Sequence, residues 1–260
     1  MTCKDRVALV TGAAGKGMGR SIALTLAREG AKVVVNYLTS KDSAAEIVNH
    51  IKTRHSQALA VEADVFTPEG CRKLVDAATK SFGRIDICVI GPGSGWHPAP
   101  IDKINAADAL ADAHHELAPL YHLLPLLLPG MYERKWGRVI GLALHPTELP
   151  PAYTYNVAKA SRSAALRLAA CDAWPNGVTV NAICPGPVGA VEALKDAVDQ
   201  CDHGPSWQAR DNTSPQDVAE GVAFLCSDAA RFITGAICVC DGGQSLLGSR
   251  ALVASLEPGR

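Results

Sequence analysis

Short apolar runs alternate with longer, helically periodic segments along this chain. Residues 6–11, 32–36, 58–62, 85–90, 138–144, 178–183 and 236–240 are rich in β-branched and other apolar side chains, and their lengths predict strands. Several are apolar at consecutive positions, as in Val33-Val34-Val35, the mark of a strand covered on both faces. Between them, residues 18–29, 41–54, 69–82, 105–133, 154–173 and 215–227 read as helices. This alternation predicts an α/β fold, a doubly wound parallel sheet of about seven strands with helices on both faces. No linker, repeat or low-complexity stretch interrupts it, which predicts one domain over residues 1–260. Pro119, Pro125 and Pro129 fall inside the fourth helical segment and should kink or split it, because each removes a backbone donor. Residues 186–214 break the alternation and read as an insertion over the sheet's edge that covers the substrate pocket.

Composition narrows the function classes. With 260 residues, 48% of them hydrophobic, the chain can bury one substantial core or at most two small domains. A net charge of −1 gives no electrostatic footprint for nucleic acid or an anionic membrane. No apolar run reaches the roughly 18 residues needed to span a bilayer, and Met1-Thr2-Cys3-Lys4-Asp5-Arg6 lacks a signal-peptide layout. Nine cysteines without a Cys-x-x-Cys read as reduced thiols in a cytoplasmic protein. The eight histidines, His114 and His115 among them, show no ligand spacing, so no metal is expected.

Two constellations carry chemistry. The first strand ends in Thr11-Gly12-Ala13-Ala14-Gly15-Lys16-Gly17-Met18-Gly19-Arg20, and an amphipathic helix follows. Glycines there allow a tight turn and close approach of backbone amides to a phosphate, while the helix N-terminus adds partial positive charge. Farther on, Tyr155 and Lys159 lie four apart on one helix face. An ammonium near a phenol favours phenolate and should lower the tyrosine pKa toward a range useful for proton transfer. Tyr153 has no lysine four residues on, so Tyr155 is the better candidate.

Together these segments resemble the short-chain dehydrogenase/reductase family over nearly the whole length. Its Thr-Gly-x-x-x-Gly-x-Gly loop is matched by Thr11, Gly12, Gly17 and Gly19, with one extra residue in the loop. Asp64-Val65 resembles the adenine-contacting pair after the third strand. Asn181-Ala182-Ile183-Cys184-Pro185-Gly186-Pro187-Val188 resembles the sixth-strand motif at the nicotinamide end. Residues 214–219, and 233–235 through Asp241-Gly242-Gly243, resemble the C-terminal signature. The resemblance implies a Rossmann-like fold and a nicotinamide cofactor held by Thr11, Gly12, Lys16, Gly17, Met18, Gly19, Tyr37, Asp64, Val65, Gly91, Lys159, Pro185, Gly186 and Val188. It implies interconversion of a small-molecule carbonyl and a secondary alcohol, with Tyr155 giving the proton as the nicotinamide delivers hydride, and Lys159 supporting it. It also implies a homo-oligomer, a tetramer or dimer packed through the fourth and fifth helices. Leu117, Leu120, Leu123, Leu124 and Leu127 suit such an interface, and core burial would explain them equally well.

The cofactor choice is a matter of charge. The second strand ends in Asn36-Tyr37-Leu38-Thr39-Ser40-Lys41, with no carboxylate to bind ribose hydroxyls and repel a 2′-phosphate. Lys16, and more weakly Lys41, could meet that phosphate, so NADP(H) is favoured and NAD(H) stays possible.

Three departures mark the chemical end. The serine that the family places shortly before the tyrosine falls at Leu142, Ala143 or Leu144, and none has a hydroxyl. The family's Asn-Asn-Ala-Gly after the fourth strand reads Ile90-Gly91-Pro92-Gly93, and its helix-four asparagine falls at Glu116. Losing one oxyanion donor typically costs about 10²–10³ in rate. His145, just past the serine position, is a candidate replacement donor. Ser94 and His97 follow the fourth strand at the ligand crevice, and Glu116 could accept from a water near Lys159 or salt-bridge to it. Trp96 and Trp207 are either pocket walls or packing. Besides a working oxidoreductase, two readings stay open. One is a nucleotide-binding but weak or inactive subunit of a hetero-oligomer; the other is a non-redox enzyme on the same scaffold.

Overall fold

Strands with two apolar faces need helices on both sides, and the computed structural model has that arrangement. It describes residues 1–93, 95, 100–144, 153–205, 213–243 and 245. Strands β1 (Val7–Val10), β2 (Lys32–Tyr37), β3 (Ala58–Glu62), β4 (Ile87–Ile90), β5 (Gly137–Leu142), β6 (Val178–Pro185) and β7 (Ile237–Cys240) form a parallel sheet in the order β3-β2-β1-β4-β5-β6-β7. Seven parallel strands and the doubly wound class agree with the sequence pattern, and the expected element bounds hold within two residues.

The period-two alternation divides the core. On one face Ala8, Val10, Val33, Val35, Val89 and Ile140 pack with helices α1 (Met18–Arg28), α2 (Lys41–Thr53) and α7 (Pro215–Cys226). On the other, Leu9, Val34, Cys88, Ile90, Val139 and Val180 pack with α3 (Pro68–Phe82), α4 (Ala106–Glu133) and α5 (Tyr153–Ala173). The nine cysteines are all free. Among the described residues no helix is long and apolar enough to cross a membrane. Because β1 pairs with β2 on one side and β4 on the other, the strand order reverses at β1. Parallel sheets open a ligand crevice at such a reversal, beyond the C-terminal strand ends.

One expectation is corrected, one open alternative is decided, and the segment after β6 gains a helix. Helix α4 is neither split nor interrupted by its prolines. The carbonyls they orphan, four residues back, belong to His115, Tyr121 and Pro125, which are all exposed to water. Leu120, Leu123, Leu127 and Met131 meanwhile hold the helix in the core. Those leucines are therefore core residues, with Leu117 and Leu124 packed beside them. The large exposed apolar residues among those described on α4 and α5 are Leu110, Tyr121, Val157 and Leu168. Finally, the described residues of the segment after β6, 186–205 and 213–214, pack on the α1 side of the sheet. They contain a helix, α6 (Leu194–His203), docked on α1. Cys201 O accepts from Arg28 Nη1 at 2.5 Å, and Asp202 meets Arg54 at the end of α2 at 2.7 Å. Val188, Val191, Leu194 and Val198 pack onto the core rather than forming a free lining. Leu194, Ala197, Val198 and Cys201 do follow the helical i, i+3, i+4, i+7 pattern, but Lys195, Asp196, Asp199 and Asp202 mask it.

Asn36 ties three strand ends together. Its Oδ1 accepts the Gly12 amide at 3.0 Å, its Nδ2 donates to Ala63 O at 2.9 Å, and its carbonyl accepts the Ala13 amide at 2.8 Å. The side chain is buried, so its loss strands two backbone groups. Asn36→Ala should cost about 2 kcal/mol in a denaturant melt, with the β-sheet circular dichroism signal retained.

Candidate active site

The glycine loop sits at the mouth of the crevice. Thr11 Oγ1 donates to Val89 O at 3.1 Å and accepts the Gly91 amide at 2.9 Å, joining the ends of β1 and β4. Gly12 has φ +61°, and a Cβ there would lie 2.8 Å from Pro92 Cγ. A Cβ on Gly19 would lie 2.4 Å from Gly12 O, so only glycine lets α1 approach the loop this closely. No side chain caps the start of α1 at Gly17, no acid occupies its first turn, and the space beside Gly17 is open. Unused first-turn amides in an open setting suit a bound pyrophosphate.

A strap from the end of β6 crosses this loop. Gly186 N donates to Cys240 O at 3.2 Å, and Val188 pairs with Thr213 in an isolated parallel bridge. The Val191 amide donates to Lys16 O at 2.9 Å, Arg20 donates to Val191 O, and Lys16 Nζ pairs with the Glu192 carboxylate. Lys16 is thus at the loop as expected, but already has an anionic partner. Asp64 Oδ1 accepts the Phe66 amide at 2.9 Å, Val65 is buried, and Tyr37 packs in the core cluster on the α1–α2 side. Lys41, at the first position of α2, is exposed.

The chemical end is a buried charge cluster on α5. Tyr155, Lys159 and Arg162 fall at i, i+4 and i+7, which places them on one helical face. Glu116 reaches them from α4, fully buried, with Oε1 2.9 Å from Lys159 Nζ and Oε2 2.7 Å from Arg162 Nε. Of the two roles open to Glu116, the ion pair is the one formed. Arg162, also fully buried, donates to Glu116 O at 2.9 Å, Leu142 O at 2.9 Å, Gly91 O at 3.2 Å and Pro92 O. Its Nε–H is directed at the Glu116 carbonyl, so Oε2 meets it as a charge rather than as an aligned acceptor. A Cβ on Gly93 would sit 2.2 Å from Glu116 Oε1, so the turn after β4 leaves room for this carboxylate.

One electrostatic expectation is reversed. Burial, and next the Glu116 carboxylate, push the Tyr155 phenol above its ordinary range, against an opposing effect from Arg162. The Lys159 ammonium stands 5.6 Å from the centre of the Tyr155 ring but is held by Glu116. It is itself pushed down by burial, with Glu116 opposing. A lysine neutralised by its own carboxylate cannot act on the phenol as a free cation would.

Sequence reasoning missed Arg162 and Asn36. A signal existed for Arg162: it is the only charged residue beyond Lys159 on the tyrosine face of a helix otherwise rich in alanine and serine. Ser94, Trp96, His97, His145 and Trp207 lie outside the described residues. Leu142 and Ala143, at the serine position, are buried.

Comparison with known proteins gives this geometry a family. The model of the enoyl-(acyl carrier protein) reductase family matches residues 12–245. Versicolorin reductase of Emericella nidulans is 33% identical over 264 residues, covering 92% of this chain and 95% of that one. The chain belongs to the short-chain dehydrogenase/reductase family. It is an oxidoreductase of that family. This dehydrogenase/reductase is also similar to 7α-hydroxysteroid dehydrogenase of Escherichia coli K12, at 31% identity over 92% of the chain and 93% of that protein. A solved 7α-hydroxysteroid dehydrogenase complexed with NADH and 7-oxo glycochenodeoxycholic acid superposes with a TM-score of 0.80 at 28% identity, covering 93% of this chain and 94% of that one.

Removing the guanidinium at the floor of the site should be severe. Arg162→Leu leaves Glu116 short of a cation and several carbonyls without a donor, and should cost about 3–5 kcal/mol. Arg162→Lys keeps the charge but not the planar fork, and should fall between it and wild type in a chemical-denaturation series.

Proposed function

We propose that this chain is an NADP(H)-dependent reductase that interconverts a carbonyl and a secondary alcohol, with Tyr155 as the acid/base. The observation that carries this reading is the shared crevice. Tyr155 and Lys159 sit on the face of α5 whose Arg162 binds the ends of β4 and β5, while the glycine loop ends β1 beside them. The named activities of the relatives, reduction and alcohol dehydrogenation, support the same class.

When bound, the nicotinamide supplies or accepts the hydride. The chain's own residues supply the rest. First-turn amides at Gly17, Met18 and Gly19 would hold the pyrophosphate, and Thr11 and Gly12 shape the loop that presents them. Asp64 and Val65 would border the adenine end of the cofactor, and Gly91, Pro185, Gly186 and Val188 its nicotinamide end. The Tyr155 phenol holds the proton for the carbonyl oxygen, and Lys159 with Glu116 fixes the charge beneath it. His145 is the first candidate to donate to that oxygen in place of the absent serine, and Ser94 the second. Lys16 supports NADP(H) because β2 ends without a carboxylate, although Glu192 competes for its charge. Leu110, Tyr121, Val157 and Leu168 support a homo-oligomer joined through the outer faces of α4 and α5.

A second reading is a nucleotide-binding chain with little turnover. Apolar side chains at the serine position and a carboxylate at the asparagine position favour it.

Turnover on a carbonyl panel separates the two. Tyr155→Phe should lose at least about 100-fold in kcat while still binding NADPH. NADPH binding to wild type with no oxidation of it by any carbonyl would support the second reading. Lys16→Ala should weaken NADPH binding about 10-fold and leave NADH binding nearly unchanged, as measured by fluorescence titration.

A further inference from the structure

We propose that Glu116 is a positioning residue that captures the Lys159 ammonium, withholds its charge from Tyr155, and so biases the site toward giving a proton rather than taking one. The proposal rests on the reading of Tyr155 as the acid/base.

Several independent features hold the carboxylate in place. It is fully buried, reaches Lys159 at 2.9 Å and Arg162 at 2.7 Å, and occupies space that any side chain at position 93 would fill. Arg162 is itself fixed by Gly91 O, Pro92 O and Leu142 O, so the carboxylate cannot swing toward solvent without stranding a buried guanidinium. The turn after β4 and the Glu116 carboxylate are therefore one coupled feature. Neither a bulkier residue at 93 nor an unanchored acid at 116 would reproduce it.

The charged and titratable groups that act on the pair come from each packed element. From α5 they are Tyr155, Lys159 and Arg162; from α4, Glu116; and from β6, Cys184, whose thiol burial pushes up to about 12 and so leaves neutral. Among the described residues, two cations and one carboxylate thus face the phenol. A neutral amide at position 116 would leave both cations uncompensated there, and phenolate would form more readily. With Glu116 in place, the phenol keeps its proton. Carbonyl reduction requires that protonated form, so its rate is present below the phenol's pKa and lost as pH rises through it.

The experiment compares full-length wild type with Tyr155→Phe by phenolate ultraviolet absorbance, without cofactor, from about pH 6 to about pH 12. The difference spectrum should show no Tyr155 phenolate below about pH 9. In Glu116→Gln the same transition should move down by about 1 pH unit, and the alkaline limb of carbonyl reduction should move with it. A wild-type Tyr155 that ionises below about pH 9, or a Glu116→Gln transition at the wild-type position, overturns the proposal. Should Glu116→Gln fail to fold, Glu116→Asp, whose shorter side chain draws the carboxylate back from Lys159, takes its place and should also move the transition down. The titration needs no turnover. If Tyr155→Phe kept full activity, the catalytic reading would fall while the spectrum still reported whether Glu116 governs the phenol.

Discussion

Arg162 carries a full charge into the seam where β4, β5, α4 and α5 meet, and the backbone of that seam is built around it. Parallel strands end with carbonyls that have no further partner in the ladder, and burial would make each of them costly. Arg162 collects those of Gly91, Pro92 and Leu142, together with Glu116 O inside α4. One planar donor fork thus terminates two strands and fixes the helix pair on which the chemistry rests. A lysine could supply the charge but not this number of directed bonds.

Gly91 connects that floor to the phosphate end. Its carbonyl accepts from Arg162, and its amide donates to Thr11 Oγ1, which in turn donates to β4 at Val89. The adjacent Pro92 packs where a Cβ on Gly12 would be, so the glycine loop and the turn after β4 share one surface. On the far side of the loop, Asn36 fixes Gly12 and Ala13, and the strap through Val191 and Glu192 fixes Lys16 and Arg20. The glycine loop and the Tyr155–Lys159 face of α5 are therefore parts of one hydrogen-bonded frame. That frame explains why the altered turn Gly91-Pro92-Gly93 belongs with Glu116. Pro92 supplies an acceptor to Arg162, and Gly93 supplies room for the carboxylate.

The departures from the family pattern were legible in the sequence one at a time. A carboxylate at the asparagine position, a rewritten turn and an absent hydroxyl each stand out against the motif. Their coupling was not legible, because residue 93, residue 116 and the pair 159 and 162 lie far apart in sequence and meet only when α4 and α5 pack side by side. The same holds for the direction of the Tyr155 perturbation. A tyrosine and lysine four apart suggest a lowered phenol pKa; burial, and next an acid arriving from another helix, reverse that.

The sequence alone determined the seven parallel strands, their helical crossovers and the phosphate loop, because these follow from local periodicity and glycine placement. It also determined that Tyr155 and Lys159 share a face, since helical geometry requires it. Only the tertiary structure decided that α4 runs unbroken through three prolines, since packing outweighs three orphaned carbonyls on exposed residues. It likewise decided that the leucines of α4 serve the core, and that residues 194–203 form a helix on α1. Above all, it decided the partner of Lys159. Which charge neutralises a buried ammonium depends on what lies within a few ångströms, and no spacing along the chain specifies that distance.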